Sequence, residues 1–311
     1  MKPSRDPRSA ALRSFGVSIT ALTILGHTVL GFEQAYATPV VAVLAALAME
    51  LLLDSIDAAA QRRRPRYLAP AGKVTDFLLP AYIAGLATAL LLYGNDTLWP
   101  YVLAVVIAIS SKYLVRVCVE NRLRHVLNPS NAGIVAVLLL FPWVGIAPPY
   151  EFTEWISGPL DALVPALLLV AGTMLNATLT RKIPLILGWT GGFVAQALVR
   201  DAFTDISLVS ALLPVTGTAF VLFTNYMITD PSTTPVRARN QVAFGVATAA
   251  AYGVLVAAHV VFGLFFALVI VCALRGVGLA VLARTRTRTE PTVVPAPASA
   301  PPLAASLPGR A

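Results

Sequence analysis

Ten apolar stretches separated by short polar connections run along this chain, at 14–32, 37–57, 77–93, 98–117, 132–146, 160–178, 183–199, 206–228, 240–257 and 260–281. A helix needs roughly 20 mostly apolar residues to cross a bilayer core. Ten such helices take up about two-thirds of the 311 residues and leave the rest for loops and tails. Composition agrees: 57% of residues are hydrophobic, 12% are charged and the mean hydropathy is +0.77. A soluble domain carries about 25% charged residues and cannot hide this much apolar surface. The expected fold is all-α, a polytopic membrane protein of about ten transmembrane helices with at least one broken helix.

The net charge of +8 raises the question of a nucleic-acid partner. The placement of the charges answers it. With the N-terminus inside, every Lys and Arg except Arg200 falls on an inward segment, while Glu33, Asp96, Glu151, Glu154, Asp201 and Asp205 fall outward. This is the asymmetry of the positive-inside rule. It predicts both termini in the cytoplasm of a bacterial inner membrane, with lipids as the first partner and no nucleic acid. Residues 1–13 read as a cytoplasmic N-terminal segment, 14–282 as one transmembrane domain and 283–311 as a disordered cytoplasmic tail. The tail is rich in Pro, Ala, Thr and Ser without apolar period. Its basic stretch Arg284–Arg288 suits anionic headgroups. The opening run, followed by Ala35-Tyr36-Ala37, imitates a signal peptide but is long for one, which favours a retained first helix.

Cysteine and histidine exclude several chemistries. Cys118 and Cys272 sit at different depths and neither has a CxxC partner, so neither a disulfide nor a zinc or iron–sulfur site is expected. His27, His125 and His259 are far apart in sequence. No metal site is expected. There is also no phosphate-binding G-x-x-x-x-G-K-[ST] loop and no G-x-G-x-x-G, which argues against a self-sufficient ATP-driven pump.

Polar groups inside apolar stretches carry the functional signal. Glu50, Asp54 and Asp57 stand at i, i+4 and i+7, one helix face near its inner end. Like charges at that spacing repel, so a cation, protons or the Arg62–Arg64 cluster must compensate. Glu50 lies deepest and is the candidate ion or proton site. Leu213-Pro214-Val215-Thr216-Gly217-Thr218 interrupts the eighth stretch; Pro214 removes a helix bond and Gly217 permits an unwound turn. Broken helices of this kind line sites in transporters. Two inward loops, Leu127–Gly133 and Thr229–Pro235, combine Asn-Pro or Asp-Pro with Ser and Thr, which is turn and cap chemistry. Their N–H groups and hydroxyls could also hold an anionic or heteroaromatic ligand.

These loops carry a family likeness. Ser111-Lys112 followed by Asn128-Pro129-Ser130-Asn131-Ala132-Gly133 resembles the S-K…N-P-x-N-x-G/A stretch of the NqrB/RnfD family, membrane subunits of sodium-pumping NADH:quinone reductase and of the Rnf electron-transfer complex. Tyr226-Met227-Ile228-Thr229-Asp230-Pro231-Ser232-Thr233-Thr234-Pro235 is similar to that family's M-x-T-D-P-x-T/S-S/T-P element. Arg181-Lys182-Ile183-Pro184, with Gly191-Gly192, resembles its R-x-x-I-P helix start. The likeness spans roughly residues 40–280. In overall character the chain looks most like the stand-alone branch found in enediyne antibiotic gene clusters, often called UnbU-type.

The resemblance implies electron transfer or redox-coupled transport in secondary metabolism. In this reading Asn128, Asn131, Thr229, Asp230, Thr233 and Thr234 bind a cofactor, beside the broken segment Pro214, Thr216 and Gly217. Family members with covalent FMN attach it to the threonine of an S-G-A-T motif. Here Ser157-Gly158 is followed by Pro159, so covalent attachment is not expected, Thr153 being the nearest alternative hydroxyl. A non-covalent flavin, riboflavin or FMN, stays open, and a redox or biosynthetic partner protein would have to supply electrons. At most the chain is then a non-catalytic subunit. Two rivals stand beside it: a flavin-free permease or exporter on the same fold, and a membrane scaffold for biosynthetic enzymes.

Overall fold

The computed structural model describes residues 7–119, 122–148, 152–160 and 163–289. Glu151 and residues 290–311 of the expected tail lie outside the described residues. The chain is helical: α1 (Pro7–Leu25), α2 (Ala37–Ala60), α3 (Ala71–Leu91), α4 (Trp99–Leu114), α5 (Pro129–Leu140), α6 (Leu163–Leu175), α7 (Ile183–Phe203), α8 (Leu208–Leu212), α9 (Thr218–Leu222), α10 (Ala238–Ala257) and α11 (Gly263–Thr289). Among the described residues seven helical segments are long and apolar enough to cross a membrane. The helical pieces Leu208–Thr216 and Thr218–Met227, bent by 71°, make an eighth if they count as one span. This is a multi-pass membrane protein. Its exterior fits that setting, since Leu44, Leu167, Leu187 and Val254 are each more than half exposed on long apolar helices.

Two of the ten expected spans are short. α4 stops at Leu114 because Val115 turns into an antiparallel ladder, Arg116–Val119 against Arg122–His125. α5 begins at Pro129, earlier than expected, and stops at Leu140 because Phe141 is extended before Pro142. In the other direction, α11 continues to Thr289, past the expected start of the tail at 283. α1 likewise begins at Pro7, within the expected N-terminal segment.

Close packing relies on small residues. A Cβ on Gly188 would run into the Val242 backbone, and one on Gly245 into Leu185 and Trp189, so α7 and α10 touch backbone to backbone. Gly133 does the same for α5 against the Ala104 carbonyl of α4. Around Trp189, Phe193, Phe220, Phe223 and Tyr252 form an aromatic cluster, and the indole N–H donates to Thr224 Oγ1 at 3.0 Å. α6 and α9 each end in a widened turn, Asn176–Thr180 and Phe223–Met227. The two are tied by Asn176 Nδ2 donating to the Asn225 carbonyl at 2.7 Å.

Candidate functional site

The acidic face of α2 obtains its cations from three other segments. Glu50, 2% exposed, accepts from Lys112 Nζ at 2.6 Å and from the Tyr113 hydroxyl at 3.0 Å, both at the end of α4. Asp54 is fully buried. Its Oδ1 accepts from Arg63 at 2.6 Å and Arg66 Nε at 2.9 Å, and its Oδ2 from the Arg66 backbone N–H at 2.6 Å. Asp57 accepts from the same Arg63 at 2.7 Å and from Arg116 at 3.3 Å. The neighbouring Asp57 and Asp54 carboxylates hold the Arg63 guanidinium still more firmly in its charged form. Compensation therefore comes from arginines and a lysine, and Glu50 already has its cation in Lys112. Within the expected Arg62–Arg64 cluster it is Arg63 that reaches the acids.

The two polar loops meet each other. Asn128 caps α5, its Oδ1 accepting from Asn131 N–H at 3.1 Å and Ser130 Oγ at 3.0 Å, while its Nδ2 donates to the Met227 carbonyl at 3.1 Å. Asn131 Nδ2 donates to the Phe265 carbonyl at 3.0 Å, and its buried Oδ1 has no partner among the described residues. Thr229 donates to the Asn225 carbonyl at 2.7 Å and Thr234 to the Asp230 carbonyl at 2.6 Å. Thr233 donates to Asp230 Oδ2 at 3.1 Å and accepts Arg275 on its own carbonyl at 2.7 Å. Lys182 Nζ reaches the Pro235 carbonyl at 2.7 Å. The side-chain donors expected to face a ligand are thus engaged: Asn128 and Asn131 reach the other loop and α11, while Thr229, Thr233 and Thr234 donate within their own segment.

Both assemblies open on one cavity of about 610 Å³, within the size range of small-molecule sites. One part of its wall is apolar, with Phe15, Ile19, Leu22, Ile83 and Leu90 from α1 and α3. The other part is polar: Glu50, Lys73, Asp76, Lys112, Asn128, Ser130, Asp230 and Ser232 all line it. Tyr226 also lines it, edge-on to Phe15 at 5.3 Å, with a buried hydroxyl that has no partner among the described residues. His125 stands on the wall as well; burial pushes its imidazole below the usual value, with Asp230 pulling the other way.

The expected site residues divide accordingly. Glu50, Asn128 and Asp230 come together on the cavity wall, whereas Asn131, Thr229, Thr233 and Thr234 stand behind it. Pro214, Thr216 and Gly217 do not line the cavity; Gly217 is extended (φ −83°, ψ 140°) and Thr216 donates to the Leu213 carbonyl at 2.8 Å. Lys112, Arg116 and Tyr226 also line the cavity, Lys112 and Tyr226 from the family-like stretches and Arg116 from outside them. Lys112 meets Glu50 and Arg116 meets Asp57, pairings between segments that no local spacing announces. Among the described residues no group of three His, Cys, Asp or Glu could hold a metal. Cys118 and Cys272 are both free thiols. No protein-family model matches the sequence, and no curated protein does.

Proposed function

We propose that this chain is an NqrB/RnfD-like protein of ten membrane crossings that carries a small amphiphilic molecule across a bacterial inner membrane, both termini being cytoplasmic. In this reading α4 and α5, about 24 Å and 18 Å long, are short spans. Backbone hydrogen bonds of the Arg116–His125 ladder and of the Leu92–Tyr93 pairing with Gly145–Ile146 complete them, which satisfies polar groups that a membrane would not. The bent pair of helical pieces around Gly217 is a single broken span. The resemblance to the enediyne-cluster branch favours a cargo from secondary metabolism.

The observation that carries the reading is the split lining of the 610 Å³ cavity. An apolar body fits against Phe15, Ile19 and Leu22 while a polar group faces Lys73, Asp230 and Ser232. Lys112, Arg66 and Arg116 are neutralised by Glu50, Asp54 and Asp57, which leaves Lys73 as a cavity-lining cation without an ion pair among the described residues. Tyr226 offers a hydroxyl to a ligand acceptor midway. The test is solvent extraction and mass spectrometry of small molecules that co-purify with the protein. An amphiphile present in the wild type, lost in Ala87→Trp, which fills the cavity from α3, and reduced in Tyr226→Phe supports carriage.

A second reading, electron transfer through a non-covalent flavin, rests on the aromatic part of the same wall, where Phe15, Phe77, Tyr113 and Tyr226 could stack an isoalloxazine. It predicts a visible flavin absorption band that moves to the supernatant on acid precipitation. Protein that is colourless and free of any co-purifying molecule would remove both readings and leave the scaffold.

A further inference from the structure

A second, smaller concavity of about 40 Å³ shares His125 and Ser232 with the main cavity. Val117, Val126 and Leu279 give its walls an apolar part, and Arg124 and Arg275 both line it. Gly276 makes this juxtaposition: a Cβ there would collide with Val126, so the ladder lies directly on α11 and Arg124 is brought beside the helix that carries Arg275.

Neither arginine is neutralised. Arg275 spends one Nη1 donor on the Thr233 carbonyl, and neither residue pairs with a carboxylate among the described residues. Glu50 is committed to Lys112, Asp54 to Arg63 and Arg66, and Asp57 to Arg63 and Arg116, while Asp230, on the loop beside the space, accepts from Ser232 N–H and Thr233 Oγ1 and forms no ion pair with either arginine among the described residues. Two guanidiniums facing one small space repel each other, and an anion between them relieves that repulsion. Guanidinium forks match the oxygens of a phosphate, and Ser232 adds a hydroxyl. The space admits about three water-sized groups, the scale of a tetrahedral oxyanion rather than of a whole metabolite.

We propose that Arg124, Arg275 and Ser232 form a phosphate-binding site, set between the Arg116–His125 ladder, the Thr229–Pro235 loop and α11. A phospholipid headgroup and a soluble phosphate ester present the same chemistry; the site lies on the inward, basic side, where anionic lipids gather. The proposal is independent of what the large cavity carries.

The test uses thermal unfolding of the full chain in neutral detergent with three additions at constant ionic strength: phosphatidylglycerol, phosphatidylcholine and inorganic phosphate. Phosphatidylglycerol is expected to raise the midpoint by about 2 °C or more over phosphatidylcholine. Arg124→Gln, which removes no hydrogen bond that holds the fold, is expected to abolish that difference. Arg62→Gln, at an exposed arginine away from the site, keeps it. A rise with inorganic phosphate alone assigns the site to soluble phosphate esters, and a rise confined to phosphatidylglycerol assigns it to lipid. No rise with either anion, or equal loss in Arg124→Gln and Arg62→Gln, overturns the proposal. The wild-type comparison stands even if a variant fails to fold.

Discussion

The acidic face of α2 and the paired loops Asn128–Gly133 and Thr229–Pro235 both bring polar groups into an apolar helical domain, and they do so by opposite means. On α2 the groups are ions, and one arginine serves two acids while both Asp54 and Asp57 take two arginines. In the loops, Asp230 apart, the groups are neutral amides and hydroxyls, and Asn128, Asn131, Thr229 and Thr234 each donate to a particular carbonyl. Charge attraction tolerates loose geometry but needs its opposite charge nearby; a hydrogen bond to a carbonyl needs one direction and one distance. The first kind of assembly can be exchanged as a set for apolar residues. The second cannot, because the carbonyls belong to the backbone and stay when the side chain is removed.

The largest expected effect tests this directly. Glu50→Leu leaves Lys112 largely buried without its carboxylate and should cost about 3 kcal/mol of stability, near the low end for breaking a buried pair. Adding Lys112→Met should recover most of that loss in denaturant unfolding; a double variant as unstable as the single one would break the comparison. Asn128→Ala should cost about 2 kcal/mol, from the lost cap of α5 and the lost bond to the Met227 carbonyl, which keeps only the long 3.4 Å bond from Asp230 N–H. No apolar partner change near Met227 should restore it.

A weaker effect is expected at the rim of the ionic assembly. Asp57 and Arg116 are each 19% exposed and Asp57 shares Arg63 with Asp54. Asp57→Asn should therefore cost only about 0.5–1 kcal/mol and should shrink with added salt, which the Asn128 effect should not. The smallest effect is pH-dependent. Burial lowers the folded pKa of His125 below its ordinary value of 6.5. The unfolded chain then binds the proton first, so stability is level above that value and falls as pH drops from it toward the folded pKa. Unfolding midpoints measured between neutral and mildly acidic pH should show this decline, reduced in His125→Asn.

Much of the molecule was legible along the chain because the relevant physics is local. Apolar runs long enough for hydrocarbon announce membrane helices, and a spacing of four and seven puts Glu50, Asp54 and Asp57 on one face whatever surrounds them. The Asn-Pro and Asp-Pro loops showed their capping chemistry for the same reason, and Asn128 does cap α5. The lengths of α4 and α5 were less legible, since a ladder and an extended residue before Pro142 cut short two stretches whose hydropathy runs on.

What the tertiary structure alone decided is pairing at a distance. Glu50 meets a lysine 62 positions away, and Asn128 meets a carbonyl 99 positions away. Nothing in either segment encodes that choice, because it follows from which helix faces pack, and those contacts turn on glycines such as Gly133 and Gly276. The cavity is the space left by that packing, so its apolar wall, its polar wall and the unpartnered Tyr226 hydroxyl exist only once the helices are in place. Hydropathy and helical period act over a few residues and can be read from the chain; complementarity of shape and charge acts between segments and had to be seen.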